Sequence, residues 1–411
     1  MKNWMKVLLG AFLGSVIGAF LPAKVEFLHG LVRFFFDLSV NFGKYIFVPL
    51  VFFSLVIEVY EMYRQKTLKK IFLRSLAFTG AVALLAVLFG MTLTLILSPQ
   101  RLSHIIPEAE VYRVPELADF FLSFVPSDMI QVFFNPYGIL FPAVILAFLI
   151  GVNLSFDRLA TKSISTLFDS FSKLFQHINT FVVDILWIMI FFISLQFSYS
   201  LKSGPALNAD IVYFILFLVL EAVLFLFVFC PALLFLFFKE KNPYKLLFGL
   251  MTPALTAFLS GDVLLAHSVM MKHNEKNLGV DVTTNSFLTG FFAAVFRPGT
   301  VMMTVSAFLM ILKSQSGLTI SFSSVLIAVL LSLVLALYTG TIPVVGSFFS
   351  VIVMCGFYGV VKSDAYNLLV PMLPILFGLS AFIDTVCSGL CAYLIARQTG
   401  SVRIVGVKDF Y

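Results

Sequence analysis

The stretch Phe248-Gly-Leu-Met-Thr-Pro-Ala-Leu-Thr-Ala-Phe-Leu-Ser-Gly-Asp-Val-Leu-Leu-Ala-His-Ser-Val-Met-Met271 decides how the chain is read. It is apolar on both sides of a polar tip, Ser260, Gly261 and Asp262, and Pro253 interrupts its first half. Neither half reaches the ~20 residues that carry a helix across a ~30 Å hydrocarbon core, so the pair reads as a re-entrant helical hairpin. A second stretch, Ser321 to Val361, is broken in its middle by Tyr338-Thr-Gly-Thr-Ile-Pro343 and reads the same way. Backbone without helical hydrogen bonds survives at membrane depth only where protein buries it or where it lines a wet cavity. Two such hairpins in the C-terminal half therefore place the expected site there.

Outward from the hairpins, apolar runs at about 7–22, 38–60, 71–98, 136–155, 178–200, 210–238, 283–312 and 366–396 read as eight membrane spans. Composition agrees: of 411 residues 60% are apolar and 12% charged, against roughly 45–50% and 25% in a soluble domain, which excludes a water-soluble enzyme. The net charge of +6 comes from 27 Lys and Arg against 21 Asp and Glu. In a polytopic membrane protein such an excess marks cytoplasmic loops rather than a nucleic-acid surface, and no nucleic-acid partner is expected. With the N-terminus in the cytoplasm, 18 basic residues fall inside, among them Arg64, Lys66, Lys69, Lys70, Arg158, Lys239, Lys241, Lys245, Lys272, Lys276 and Arg397. Seven fall outside, Lys24, Arg33, Arg101, Arg113, Lys202, Lys313 and Lys362, while Lys44 and Arg297 stay within the membrane. That asymmetry places both termini in the cytoplasm of a multi-pass protein of the cell (inner) membrane. The polar connection Pro99 to Phe121, with Glu108, Glu110, Glu116 and Asp119, reads as an extracellular loop. Gly10, Gly14 and Gly18, four residues apart, read as a packing face, so the first run is taken as a span and not as a signal peptide. Cys230, Cys355, Cys387 and Cys391 all lie in apolar runs and carry neither a disulfide framework nor a zinc spacing.

Several pieces resemble the dicarboxylate/amino acid:cation symporter family. Val7-Leu-Leu-Gly-Ala-Phe-Leu-Gly-Ser-Val-Ile-Gly18 is similar to the family's first helix, and Pro49-Leu-Val-Phe-Phe-Ser-Leu-Val56 to its Pro-Ile-Val-Phe-x-Ser-Leu-Val. Val125-Pro126, then Leu140-Phe-Pro142 and Gly151, match the start of the fourth helix. Thr256-Ala-Phe258 with Ser260-Gly261 resembles the serine-rich tip of the first hairpin, Gly299-Thr300 the broken seventh helix, and Asp384 the ligand-binding Asp of the last helix. The resemblance implies an all-α polytopic fold of eight transmembrane helices and two re-entrant hairpins, assembled as a homotrimer in the lipid bilayer. It also implies a static scaffold, residues 1–65 and 101–205, and a mobile transport domain, residues 66–100 and 206–400, that slides like an elevator, followed by a cytoplasmic tail, 401–411. An amino acid or dicarboxylate would sit between the hairpin tips and the last two helices.

The sequence departs from the family at its cation sites. Where the family has Asn-Met-Asp-Gly-Thr, this chain has Phe296-Arg297-Pro298-Gly299-Thr300, and Cys391 and Ile395 stand where it has a sodium-binding Asn and Asp. Ala81-Val-Ala-Leu84 replaces a Tyr and a Thr-Ser pair. Sodium requires hard oxygen donors, and of the expected side chains only Thr339 supplies one, so the sequence argues against sodium coupling. No cofactor and no metal are expected.

Arg297 is the most informative residue, because a charge at the bilayer centre costs ~2.5–3.5 kcal/mol and needs a partner or a polar cavity. The acids available to it are Asp384 and Asp262. Its guanidinium is either a structural partner of one of these or a fixed cation that holds a substrate carboxylate in place of bound sodium. Asp384, in the family, pairs with the substrate ammonium, and Cys387 stands where acidic amino acid carriers hold an Arg. Ser260, Gly261, Asp262, Gly299, Thr300, Gly346, Ser388 and Cys391 complete the candidate set, the hydroxyls and backbone groups as hydrogen-bond donors. Glu58, Asp184 and Glu221 read as interfacial or paired groups near span ends, His267 and His273 as solvated, and the 50 phenylalanines as lipid-facing bulk. No HExxH, GxSxG or GxxxxGK[ST] pattern occurs, so neither an intramembrane enzyme nor an ATP-driven pump is expected. The expected function is secondary transport of an amino acid or small carboxylate, as a symporter-like carrier or a sodium-independent exchanger. The alternative is a non-transporting receptor or anion-channel-like protein of this fold whose site Arg297 locks.

Overall fold

The computed structural model describes residues 2–22, 26–97, 116–133, 138–203, 208–315, 321–358 and 365–411. Lys24, Arg101, Arg113, Lys362, Glu108 and Glu110 lie outside these. Among the described residues the protein is helical without strands, and seven helices are long and apolar enough to cross a membrane.

The N-terminal half contains α1 (Asn3–Phe20), α2 (Glu26–Arg64), α3 (Leu68–Leu97), the short α4 (Leu117–Leu122), α5 (Phe141–Asn153) and the 46-residue α6 (Arg158–Ser203). The first run is a packed helix. Gly10, Gly14 and Gly18 press on the backbone of Trp187, Phe191 and Leu195 in α6, and a Cβ at any of the three would collide with a carbonyl oxygen. Such close approach of backbones is how small residues join helices in an apolar solvent. α5 corrects the expectation of a full span at 136–155. Its 13 residues fall short of a bilayer crossing, because Pro142 sits in its first turn and the helix ends at Asn153.

The C-terminal half begins with α7 (Ala209–Leu224), which continues through a π-helical turn, Phe225–Phe229, into α8 (Cys230–Phe238). Pro231 brings no N–H to the carbonyl of Phe227, four residues earlier, and the Tyr244 hydroxyl donates to that carbonyl at 3.1 Å instead. The helices α9 (Pro243–Gly249), α10 (Met251–Ser260) and α11 (Val263–Lys276) follow, then α12 (Val282–Val295) and α13 (Pro298–Gln315). The last three are α14 (Phe322–Leu337), α15 (Gly346–Tyr358) and α16 (Leu373–Thr399).

Both interrupted stretches fold as helix, tip, helix. In the first, Gly261 adopts φ +65° to end α10, and the Asp262 carboxylate then accepts from the backbone N–H groups of Leu264 and Leu265 at 2.9 and 3.0 Å to start α11. A C-cap glycine followed by an N-cap aspartate is a reversal written into two adjacent residues. In the second, α14 ends at Tyr338, a turn of 3-10 helix covers Thr339–Thr341, and α15 begins at Gly346. The tips meet: a Cβ on Gly261 would lie 3.1 Å from Phe377 and 3.8 Å from Val344.

α1, α2, α5 and α6 pack mainly on one another, while α13 and α16 form a centre that α3, the two hairpins and α7 surround. The phenylalanines are not only lipid-facing. Phe12, Phe20, Phe27 and Phe237 are exposed, but Phe47, Phe214, Phe225, Phe287, Phe292, Phe296, Phe308 and Phe348 are fully buried in the core.

Candidate functional site

Pro298 is the first residue of α13 and disfavours helix at Arg297 before it, while Phe296, which ends α12, is already extended, with φ −91° and ψ 107°. The break exposes the C-terminal carbonyls of α12 and the N-terminal N–H groups of α13 side by side. Each end takes an ionised group of the appropriate sign.

Asp384 of α16 caps α13. Its carboxylate accepts from the N–H of Gly299 at 2.7 Å, the N–H of Thr300 at 3.3 Å and the Thr300 hydroxyl at 2.7 Å, with no part of it exposed. Gly299 is required for this approach, since a Cβ there would stand 2.6 Å from the Cβ of Ile383 and 3.0 Å from the Asp384 nitrogen.

Arg297 turns the other way. Its guanidinium donates to three backbone carbonyls, Ala293 at 2.7 Å and Phe296 at 3.0 Å from the end of α12, and Gly340 at 3.1 Å from the tip of the second hairpin. The expected contact pair with Asp384 or Asp262 does not form. Asp384 is spent on α13, and Asp262 is ion-paired with Lys44 of α2 at 2.5 Å. Both acids act on Arg297 through their fields only. A guanidinium has five N–H donors, so two are left over, and the three carbonyls satisfy hydrogen bonds without neutralising the charge.

The remaining expected residues divide. Ser260 donates to the carbonyl of Thr256 at 2.6 Å and accepts from the N–H of Asp262 at 3.1 Å, which stiffens the first tip. In the second tip a Cβ on Gly346 would lie 2.8 Å from the carbonyls of Thr339 and Gly340, and Thr339 bonds Ser350 at 2.7 Å. Ser388, one turn after Asp384, faces His267 at 3.0 Å. Cys387 and Cys391 are not brought to this cluster: with Cys230 they line an apolar cavity walled by Phe78, Leu85 and Phe225. All four cysteines are free thiols.

His267 is the residue that sequence reasoning missed. It is fully buried, not solvated, and its Nδ1 lies 2.8 Å from the carbonyl of Val263. A carbonyl only accepts, so Nδ1 carries the proton and neutral Nε2 accepts from the Ser388 hydroxyl. The signal was its position five residues past the Asp262 cap, one turn and a half down α11. His273 is equally buried, against the carbonyl of Val269.

Among the described residues no three of His, Cys, Asp and Glu group as a metal site. The break brings together a buried guanidinium without an ion-pair contact, a satisfied carboxylate and the Thr300 hydroxyl. The sequence model described as the sodium:dicarboxylate symporter family matches residues 4–398. No curated protein shows a significant match to the chain. A match of that length, over helices that meet at a broken span between two hairpins, settles the class: the chain belongs to the sodium:dicarboxylate symporter family, a family of transporters and not of enzymes.

Proposed function

We propose that the protein carries an anionic substrate, a dicarboxylate or an acidic amino acid, across the membrane with the Arg297 guanidinium as its fixed counter-charge. One observation carries this reading: Arg297 is buried, donates only to neutral carbonyls and keeps two N–H groups unused, so a bidentate carboxylate would supply both the missing bonds and the missing charge. Its place in the break between α12 and α13, against the tip of the second hairpin, supports a site that opens when that hairpin moves.

In this reading the family's membrane spans and two re-entrant hairpins work as an elevator. Residues 1–65 and 101–205 form a scaffold within a homotrimer, residues 66–100 and 206–400 slide against it, and the termini face the cytoplasm. A guanidinium already present makes bound sodium unnecessary, so transport is sodium-independent, as symport with another ion or as exchange. The closed geometry favours one second reading, a receptor of the same fold, because both charged side chains of the break have internal partners. A melting-temperature screen of purified protein against succinate, L-aspartate and L-serine, with and without sodium, tests both. Stabilisation by succinate or L-aspartate alone, unchanged by sodium, is expected; stabilisation only with sodium would overturn the proposal.

A further inference from the structure

A second ionisable group lies buried in the same half of the protein, away from the break. Glu221, expected near a span end, stands mid-way along the continuous helix from Ala209 to Phe238, and no part of its side chain is exposed. Its Oε1 accepts from the Ser306 hydroxyl of α13 at 2.7 Å, and its Oε2 has no partner. Among the described residues no Lys, Arg or His makes an ion pair with it. Phe214, Phe217, Leu218 and Phe225 of its own helix are buried as well, and Gly90 of α3 abuts both Glu221 itself and Met302 of α13. A Cβ on Gly90 would lie 2.8 Å from Oε1, 2.9 Å from Met302 and 3.0 Å from the Ser306 oxygen, so α3 closes directly over the carboxyl group. One turn further along α3, the buried hydroxyl of Thr94 is also without a partner.

An ionised carboxylate in this place would hold a full charge in hydrocarbon against one hydroxyl donor, which is far from sufficient. It needs a cation. Sodium would require several oxygen ligands in a cavity of its own, whereas only three oxygens, those of Glu221 and Ser306, are gathered here, and the close passage of Gly90 leaves no room. A proton needs neither. We propose that Glu221 is a proton-binding site, and that its proton travels with the substrate. The carboxylate takes one proton from water on one side, becomes neutral with that proton on Oε2, and returns it on the other side. Apart from the Ser306 hydroxyl, no titratable or charged group from α3, α13 or α16 acts on it, so occupancy follows from burial and from the opening of this contact. The coupling rests on the carrier reading given above, since α3, α7 and α13 all belong to its proposed mobile part.

Two measurements separate the site from the coupling. Infrared difference spectra of the full-length protein, recorded as pH is raised, are expected to show a protonated carboxyl band that titrates, shifts in D2O, and is absent in Glu221→Gln. That variant keeps the shape and neutrality of the protonated side chain and is expected to fold. If no titrating band disappears in Glu221→Gln, or if sodium at constant ionic strength replaces the proton, the site is overturned whether or not the protein transports. In proteoliposomes, an inward proton gradient is expected to drive accumulation of radiolabelled succinate or L-aspartate. Glu221→Gln is then expected to keep exchange of external for internal label and to lose the gradient-driven part. Gradient-driven accumulation that survives in Glu221→Gln would overturn the coupling. Failure of the wild type to move either probe would instead count against the carrier reading, with the infrared titration still deciding the proton site.

Discussion

Lys44 Nζ lies 2.5 Å from Asp262 Oδ2, so a cation of α2 is joined to the residue that caps the second arm of the first hairpin. Asp262 is fully buried, and its other oxygen already serves two backbone N–H groups. The contact runs from the proposed scaffold to the proposed mobile part, and any sliding between them must break it. In the proposed elevator it would act as a latch on one end state.

Lys44→Met is expected to cost up to about 3 kcal/mol in stability, because it strands a buried carboxylate, while Lys44→Met with Asp262→Asn together costs much less than the sum. Thermal denaturation of the two single variants and the double variant checks this. Additive losses would show that the pair does no energetic work. The latch also predicts that Lys44→Met raises the rate at which label pairs between α2 and α11 change distance.

Arg297 and Asp384 are expected to behave differently from that pair. They serve opposite helix ends and share no hydrogen bond, so their losses should be closer to additive than those of Lys44 and Asp262. Asp384→Asn removes the charge from a triply bonded cap and is expected to cost about 1–3 kcal/mol of stability. Melting temperatures of Arg297→Met, Asp384→Asn and the combination measure the coupling, and strong non-additivity would mean that the two charges neutralise each other directly.

The glycine face of α1 gives a third test. Gly14→Leu places a side chain against the carbonyl of Phe191 and the hydroxyl of Ser194, and overpacking of this kind costs roughly 1–3 kcal/mol. The neighbouring Leu13→Ala, on the exposed face, is expected to change little. Equal effects at the two positions would remove α1 from the packed core.

The hairpins and the break were legible because their signals are local. Gly261 before Asp262, and Pro298 after Arg297, dictate backbone conformation within two or three residues. The short α5 was misjudged from its apolar content, which says nothing of where Pro142 starts the helix. The partners of charged groups were not legible. Lys44 is more than 200 residues from Asp262 in sequence, and only the docking of α2 on α11 brings them together. His267 and Glu221 were assigned to wet or interfacial places because hydropathy averages over a window, while burial depends on which neighbour covers one side chain. Cys387 was placed by its motif position, and one helical face of α16 separates that position from the hairpin tips.

In the proposed cycle a carboxylate binds at Arg297 and crosses the membrane without sodium. The most direct measurement is uptake of radiolabelled succinate and L-aspartate into proteoliposomes, with sodium replaced by potassium at constant ionic strength, for the wild type and Arg297→Met. Equal wild-type uptake is expected in either salt, with an affinity loss in Arg297→Met of about 30-fold or more, equivalent to ~2 kcal/mol or more for a lost buried charge contact. Uptake that rises steeply with sodium, or that survives unchanged in Arg297→Met, would contradict it.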